Sequence, residues 1–571
     1  MTRVCCSLVG LVLVARGVSA QPPPPPPPMI IDMPVAGQGA PLPLGPARDN
    51  ARPAKAGTAT LRGRVVAADT GQPLRKAQVR VMSGELRENR MTTTDADGKY
   101  EFKELAAGRY TLMANKGSYV NLQYGQQRPF EPGKPLEILD GQTVEKVDFS
   151  LPRGGVITGR ILDEFGEPLA DAQVAAQRYQ TVGGRRRLVP AGPPAMTNDI
   201  GEFRLFAIPP GQYYLSATLR NMGMGDSDDR AGYAPTYFPG TSNMAEAQRL
   251  TIGLGQTMSD INLALMTART ARITGTAVDS QGRPMMGAVM AATLGDSVMN
   301  FFGPPGQIKA DGSFAIGGLA PGTYRLQTMG GSGDTESAFV EVSINGDDIN
   351  GIRLVGSKPS TASGRIIVDA AAAQALKPAM LRVMAQPAVF DGPMMGPPAP
   401  PAPVNDDLTF ELKSRPGKMR INFGGTATGW TIRAVRYRGT DVTDSGIDFK
   451  PNEDLADLEI EITNRVTDLS GVVTNSRGAP VKDYSIAVFP QDRDKWTPGS
   501  RYLRSGRPDQ DGRFKLTSLP PGDYFVIALD YMDASEWTDP EFLERIRTKA
   551  TRLSISEGET KSVDLKVTTA S

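Results

Sequence analysis

The residues available for chemistry in this chain are few in kind. There is no histidine among its 571 residues. That removes the commonest general base, every Ser-His-Asp arrangement and every imidazole metal ligand. Its two cysteines, Cys5 and Cys6, lie at the extreme N-terminus. No Ser-x-x-Lys motif and no phosphate-binding loop occurs, and Gly330-Gly331-Ser332-Gly333 lacks the strand-turn-helix setting of a nucleophile elbow. Carboxylates remain. Paired carboxylates about 5 to 10 Å apart suffice for glycoside hydrolysis, and 62 acidic residues provide many chance pairs. Glycosidases also need a cleft, and small domains strung end to end offer little concavity. The expectation is therefore no catalytic residue and no enzyme activity.

Two other chemistries have candidates. Calcium needs clustered oxygen ligands. Asp441, Asp444 and Asp448 form the best such group, with turn capping as the simpler explanation. Asp95-Ala96-Asp97-Gly98 and Asp509-Gln510-Asp511-Gly512 look like fragments of a calcium loop, but they lack its other acidic positions and read as hairpin turns. No cofactor is expected beyond such a calcium ion. Sugar binding needs exposed aromatic platforms. The candidates are Tyr233, Tyr237 and Phe238, close together, then Trp496 and Tyr502 in a long loop, and Trp537 before a predicted helix. Rings that close the ends of a domain are the alternative.

The elements that hold these residues repeat. A turn followed two residues later by an aromatic recurs at Asp97-Gly98-Lys99-Tyr100, Asp199-Ile200-Gly201-Glu202-Phe203, Asp311-Gly312-Ser313-Phe314 and Asp511-Gly512-Arg513-Phe514. The spacing is about a hundred residues, doubled in the last interval. The missing copy is Asp406-Asp407-Leu408-Thr409-Phe410, which keeps the aromatic and loses the glycine. Each copy opens on a glycine in an extended run, at Gly63, Gly159, Gly275, Gly364 and Gly471. Each closes on a turn at Gly108-Arg109-Tyr110, Gly211-Gln212-Tyr213, Gly322-Thr323-Tyr324, Gly417-Lys418-Met419 or Gly522-Asp523-Tyr524. Four copies also share a Gly-x-Pro turn near Pro73, Pro168, Pro284 and Pro480, and the fourth keeps only Lys377-Pro378. A fixed period means one unit used several times.

Within copy one, Tyr110, Leu112 and Ala114 alternate with Thr111 and Met113, and Val147, Phe149 and Leu151 alternate with polar neighbours. Period two with turn residues between runs predicts antiparallel strands buried on one face. Tyr100, Phe102, Tyr110 and Leu112 are the predicted core. The predicted fold class is all-β: five tandem β-sandwiches of about a hundred residues each, over 58–154, 155–268, 269–357, 358–466 (degenerate) and 467–571. One helix is predicted near 538–549. Thr538 is its expected cap, and Phe542, Leu543 and Ile546 its apolar stripe.

The order of these markers resembles the carboxypeptidase regulatory-like domain, and the resemblance implies that each copy is a seven-stranded Greek-key, transthyretin-like (prealbumin-like) sandwich, classed near the carbohydrate-binding-like folds. The resemblance spans nearly all of Thr58–Ser571 and is weakest in copy four. Tyr233-Ala234-Pro235-Thr236-Tyr237-Phe238-Pro239-Gly240 and Trp430-Thr431-Ile432 with Gly439-Thr440-Asp441-Val442-Thr443-Asp444 are similar to segments of large exported bacterial proteins. The resemblance implies an accessory, non-catalytic role. In carboxypeptidases the chemistry belongs to a separate zinc domain that has no counterpart here.

Residues 1–20 read as a secretory signal: Arg3, an apolar stretch, then Val18-Ser19-Ala20. Cleavage there would remove both cysteines. Residues 21–57 read as a disordered leader, stiffened by the run Pro22–Pro28. The chain is thus expected to be exported, to periplasm, outer surface or medium. No later run approaches the roughly 20 apolar residues that span a bilayer. With 63 basic and 62 acidic residues, nothing points to nucleic acid. Arg185-Arg186-Arg187 reads as part of a solvated loop, with an anion site as the alternative. The expected role is a binding or scaffold protein of the cell envelope, with an envelope protein or glycan as partner and a monomeric array as its form. The alternative is a carbohydrate-binding protein accessory to an amylase-like glycan-degrading system.

Overall fold

The computed structural model describes residues 57–570, apart from 85–87, 220–230, 296–304, 330–335, 389–398 and 426–428. The expected signal, the proline-rich leader and Gly330-Gly331-Ser332-Gly333 lie outside the described residues.

Repeat one shows the common plan. Its first strand, Ala59–Ala67, lies between Lys99–Leu105 on one side and the parallel strands Thr143–Val144 and Phe149–Leu151 on the other. The facing sheet pairs Glu88–Thr93, Gln78–Ser83 and Gly108–Asn115, with Leu122–Gln123 and Leu136–Ile138 along its edge. Alternate residues of both sheets meet between them. Tyr100, Phe102, Tyr110 and Leu112 are all buried there, as their period predicts. Each of the other four repeats has its own buried cluster between two sheets. Repeat four adds Thr431–Tyr437 beyond Leu455–Thr463. In repeat five, Gly522–Leu529 also pairs with Leu565–Thr568, which joins its two sheets.

The sequence markers have physical reasons. A β-carbon on Gly63, Gly159, Gly275, Gly364 or Gly471 would sit 1.9, 2.0, 2.1, 2.0 or 1.9 Å from a carbonyl oxygen of the chain segment that runs alongside. That segment passes so closely that no side chain fits. Tyrosines of the closing turn are buried, and each hydroxyl donates to the carbonyl four residues upstream. Tyr110 reaches Ala106, Tyr213 Pro209, Tyr324 Ala320 and Tyr524 Pro520, at 2.6–2.8 Å. The bond ties each turn to its own strand, and Met419 cannot make it. Replacing Tyr524 with phenylalanine should cost about 1 kcal/mol in urea unfolding, whereas the exposed Thr323→Ala should be neutral.

In the turns that lie two residues before the aromatic, Gly98, Gly201, Gly312 and Gly512 have φ of +70 to +85°. Leu408 stands in their place with φ +66° and makes the same turn, its N–H donating to Asn405 O at 2.9 Å. The turn survives the loss of glycine at a left-handed cost of about 1–2 kcal/mol.

The helix is Pro540–Arg547. Its cap is Asp539, which accepts from Glu541 N at 3.0 Å. Thr538 instead ends a 3-10 turn, Glu536–Thr538. Phe542, Leu543 and Ile546 are buried as expected. They cover the outer face of the strands Ser485–Pro490 and Gly522–Leu529, which are therefore buried on both faces.

Candidate functional site

The nominated aromatics do not form one platform. Tyr233 and Phe238 pack on the repeat-two core, and the Tyr233 hydroxyl donates to Glu164 Oε2 at 2.5 Å. Burial and then Glu164 push the Tyr233 pKa up to about 12. Tyr237 is half-buried in a short strand paired with Ser216. Trp496 is only 4% exposed: its indole N–H donates to Pro490 O at 2.7 Å and its edge meets Phe489. It is a core residue of repeat five and not a surface ring. Trp537 packs against the same cluster. Tyr502 packs on the sandwich core, with the Lys495 ammonium 4.6 Å from its ring centre.

The three aspartates also have separate duties. Asp441 accepts from Thr443 N at 2.9 Å and from its hydroxyl, a turn cap. Burial pushes its pKa up, but these two hydrogen bonds outweigh it and hold the group below its ordinary value. Asp444 pairs with Arg501 of repeat five at 3.2 Å. Asp448 is exposed on the strand Ile447–Phe449. Among the described residues, no three acidic, histidine or cysteine side chains are arranged to hold a metal. Asp95 and Asp509 each accept two backbone N–H bonds within their own turns, as hairpin turns should. Arg185–Arg187 lie on a strand, Arg185–Pro190, paired with Ala172–Val182 through the Gly183-Gly184 turn. The segment is a hairpin rather than a loop, and Arg187 is buried.

What the structure does bring together is repeat five with repeats one, two and four. Some of the contacts come from the segment that follows the closing strand of a repeat. That segment is residues 116–135 in repeat one, 429–446 in repeat four and 530–550 in repeat five. Arg507 of repeat five donates to Glu131 of repeat one and to Asp483. The Arg507 and Glu131 side chains are each 1% exposed. The second Glu131 oxygen accepts from Gln127 N and Arg128 N at 3.2 and 3.3 Å. Around this pair, Lys134 Nζ donates to Lys482 O at 2.7 Å and lies 3.1 Å from Asp483. The Gln510 amide pairs with both the N–H and the C=O of Glu137.

Phe130 marks a three-way junction. Its ring packs on the repeat-two core beneath the Arg178 guanidinium, 3.4 Å away, and its carbonyl accepts from Ala534 N of repeat five. Arg178 in turn pairs with Asp533 at 3.0 Å, both side chains about 15% exposed. The tip of the repeat-two hairpin touches the same repeat, since a β-carbon on Gly184 would lie 2.2 Å from Pro498. On the other side, Arg501 donates to the carbonyls of Ile432 and Arg433 in repeat four, and Arg420 donates to Pro498 O. Sequence reasoning missed Glu131 and Arg507, 376 residues apart and without a motif.

Closure creates concavity that the tandem order does not suggest. A cleft of about 380 Å³ opens between repeats one and five. Tyr124 and Phe149 line it, their rings 6.2 Å apart edge to face, with Gln123 and Asp148 from repeat one and Lys482 and Gln510 from repeat five.

The electrostatics fix a pH range. An Arg62 hydrogen bond holds Glu101 below the usual carboxylate range, and Arg160 does the same for Glu202. Such groups stabilise the fold above their unfolded pKa near 4, and the effect is lost as pH falls through the folded values. Burial raises Tyr324 and Tyr531 to about 12. Their contribution is complete below about pH 10 and is lost as pH rises towards 12. With no histidine to titrate between, the melting temperature should be flat from about pH 6 to 8. It should fall at both extremes when followed by circular dichroism.

No curated protein matches the chain. Among solved structures, it is similar to the Bacillus anthracis TIE protein at 10% identity, covering 73% of this chain and 74% of that one, with a TM-score of 0.14. The Streptococcal ancillary pilin is similar at 14% identity over 52% and 98%, TM-score 0.19. BcpA, the major pilin subunit of Bacillus cereus, is similar at 10% over 52% and 99%, TM-score 0.15. Superposition at this level carries no argument about function. Residues 60–152, which hold the sandwich of repeat one, match the family model of the carboxypeptidase regulatory-like domain, the family that the order of turn and strand markers resembles.

Proposed function

We propose that this chain is a non-catalytic, exported binding or scaffold protein of the bacterial cell envelope. The carrying observation is the use made of its polar side chains. Two ion pairs whose side chains are at most about 15% exposed, Arg507 with Glu131 and Arg178 with Asp533, both join different repeats. The domain family matched by repeat one supports an accessory role. Among the described residues no helix is long and apolar enough to cross a membrane, and the signal-like segment 1–20 supports export. Such a body presents loops from several repeats in fixed relation, so that weak contacts to one partner add.

Chemical cross-linking in the native envelope, followed by purification of the full chain, tests this. A reproducible protein or glycan partner is expected. Hydrolysis of a polysaccharide by the pure protein would overturn the non-catalytic reading. A second reading, glycan binding in support of a glycan-degrading system of the amylase type, is favoured by the aromatic-lined cleft. Retention on an immobilised polysaccharide is its test.

A further inference from the structure

We propose that the cleft between repeats one and five is a composite binding site for a neutral, polyhydroxylated ligand of about disaccharide size. This rests on reading the chain as a binding protein. The volume, about 380 Å³, suits a small ligand. The position is unlike that of the aromatics singled out in the sequence: neither repeat contains the cleft alone.

The chemical class follows from which groups are free. Several lining amides are committed. Gln123 Oε1 accepts from Gly133 N at 2.7 Å, Gln126 bonds Gln123 N and Arg128 O, and Gln510 holds the backbone of Glu137. Lys134 is held by Lys482 O and Asp483, and Asp509 caps its own turn. Gln127 and Ser150 add further amide and hydroxyl groups to the lining, and three other kinds of group are placed to meet a ligand. The Tyr124 hydroxyl and the exposed Lys482 ammonium make no hydrogen bond with any described residue, so both can donate. Asp148 accepts from Arg64 N through one oxygen at 2.8 Å and keeps the other for an acceptor role. The half-buried Tyr124 ring, braced edge-on by Phe149, offers an apolar face.

The charged lining is balanced, Lys134 and Lys482 against Asp148 and Asp509. A strongly charged ligand of either sign would meet a like charge. A sugar ring has the complementary surface: C–H bonds on one face, and hydroxyls that both donate and accept around its edge. Because Tyr124 and Lys482 belong to different repeats, a ligand that bridges them binds the closed arrangement better than any open one. It would therefore stabilise closure.

The test uses the full chain and four neutral disaccharides: maltose, cellobiose, mannobiose and N,N′-diacetylchitobiose. Saturation-transfer NMR and calorimetry should find at least one that binds in the millimolar range or tighter. Lys482→Ala, at the exposed rim, should weaken that ligand about tenfold. Tyr124→Phe, which keeps the ring in the repeat-one core, should weaken it severalfold. Equal binding by both variants would overturn this site while leaving glycan binding itself in place. Absence of binding by all four disaccharides, alongside a protein partner recovered by cross-linking, would overturn the ligand class and leave the binding-protein reading standing.

Discussion

Replacing Glu131 with alanine is expected to release repeat five from repeat one. The Arg507 guanidinium would remain buried with only Asp483 and Ser485 beside it. Removing one partner of a buried ion pair costs about 3–5 kcal/mol, most of it the uncompensated charge. A closed contact that strong becomes a hundredfold or more less favoured. The radius of gyration from solution scattering should rise. Hydrogen exchange should accelerate at Tyr531–Ala534, whose bonds to Pro129 and Phe130 depend on the same contact. The double variant Glu131→Leu, Arg507→Met removes both charges and should recover much of the loss, because a buried pair is worth little over well-packed apolar groups. Unchanged scattering and exchange in Glu131→Ala would show that the pair does not hold the repeats together. The same substitution should weaken any ligand that bridges Tyr124 and Lys482.

Gly471→Ala should be the most damaging single-methyl substitution in repeat five. The new β-carbon would lie 1.9 Å from Val563 O and 2.9 Å from Phe514 Cε1. Neither can yield cheaply. Val563 is held to Ser470 O through its own N–H at 2.9 Å, and Phe514 is buried in the core. Overpacking of this kind costs about 1–3 kcal/mol, and each hydrogen bond broken to relieve it adds about 1 kcal/mol. A loss of about 3 kcal/mol or more is therefore expected in denaturant unfolding. Ser470→Ala, one residue earlier on the same strand, should stay within about 0.5 kcal/mol. Comparable stabilities for the two variants would mean that the neighbouring segment can shift, and that the glycine answers to something other than close approach.

The repeated architecture was legible in the residues because it is local. Period-two burial at Tyr110, Leu112 and Ala114 depends only on strand geometry. The turn glycines depend on backbone conformation, and Leu408 shows how far that rule bends when an intact hairpin holds it. The apolar stripe Phe542, Leu543 and Ile546 follows from helix spacing alone. The cap moved from Thr538 to Asp539 because the preceding residues form a 3-10 turn. The aromatic candidates were harder to place, since exposure is not a property of a residue type. Trp496 was drawn into a second core by the helix that covers Phe489 and Phe525. What the sequence by itself determined was the repeating sandwich and the poverty of its chemistry: no histidine, and cysteines only at the start. The tertiary structure alone decided how the repeats meet. Contacts such as Glu131 with Arg507 join residues hundreds of positions apart, carry no periodicity, and draw on single charged side chains indistinguishable in sequence from solvated ones. Burial gives them their energetic weight, and burial exists only once the repeats have docked.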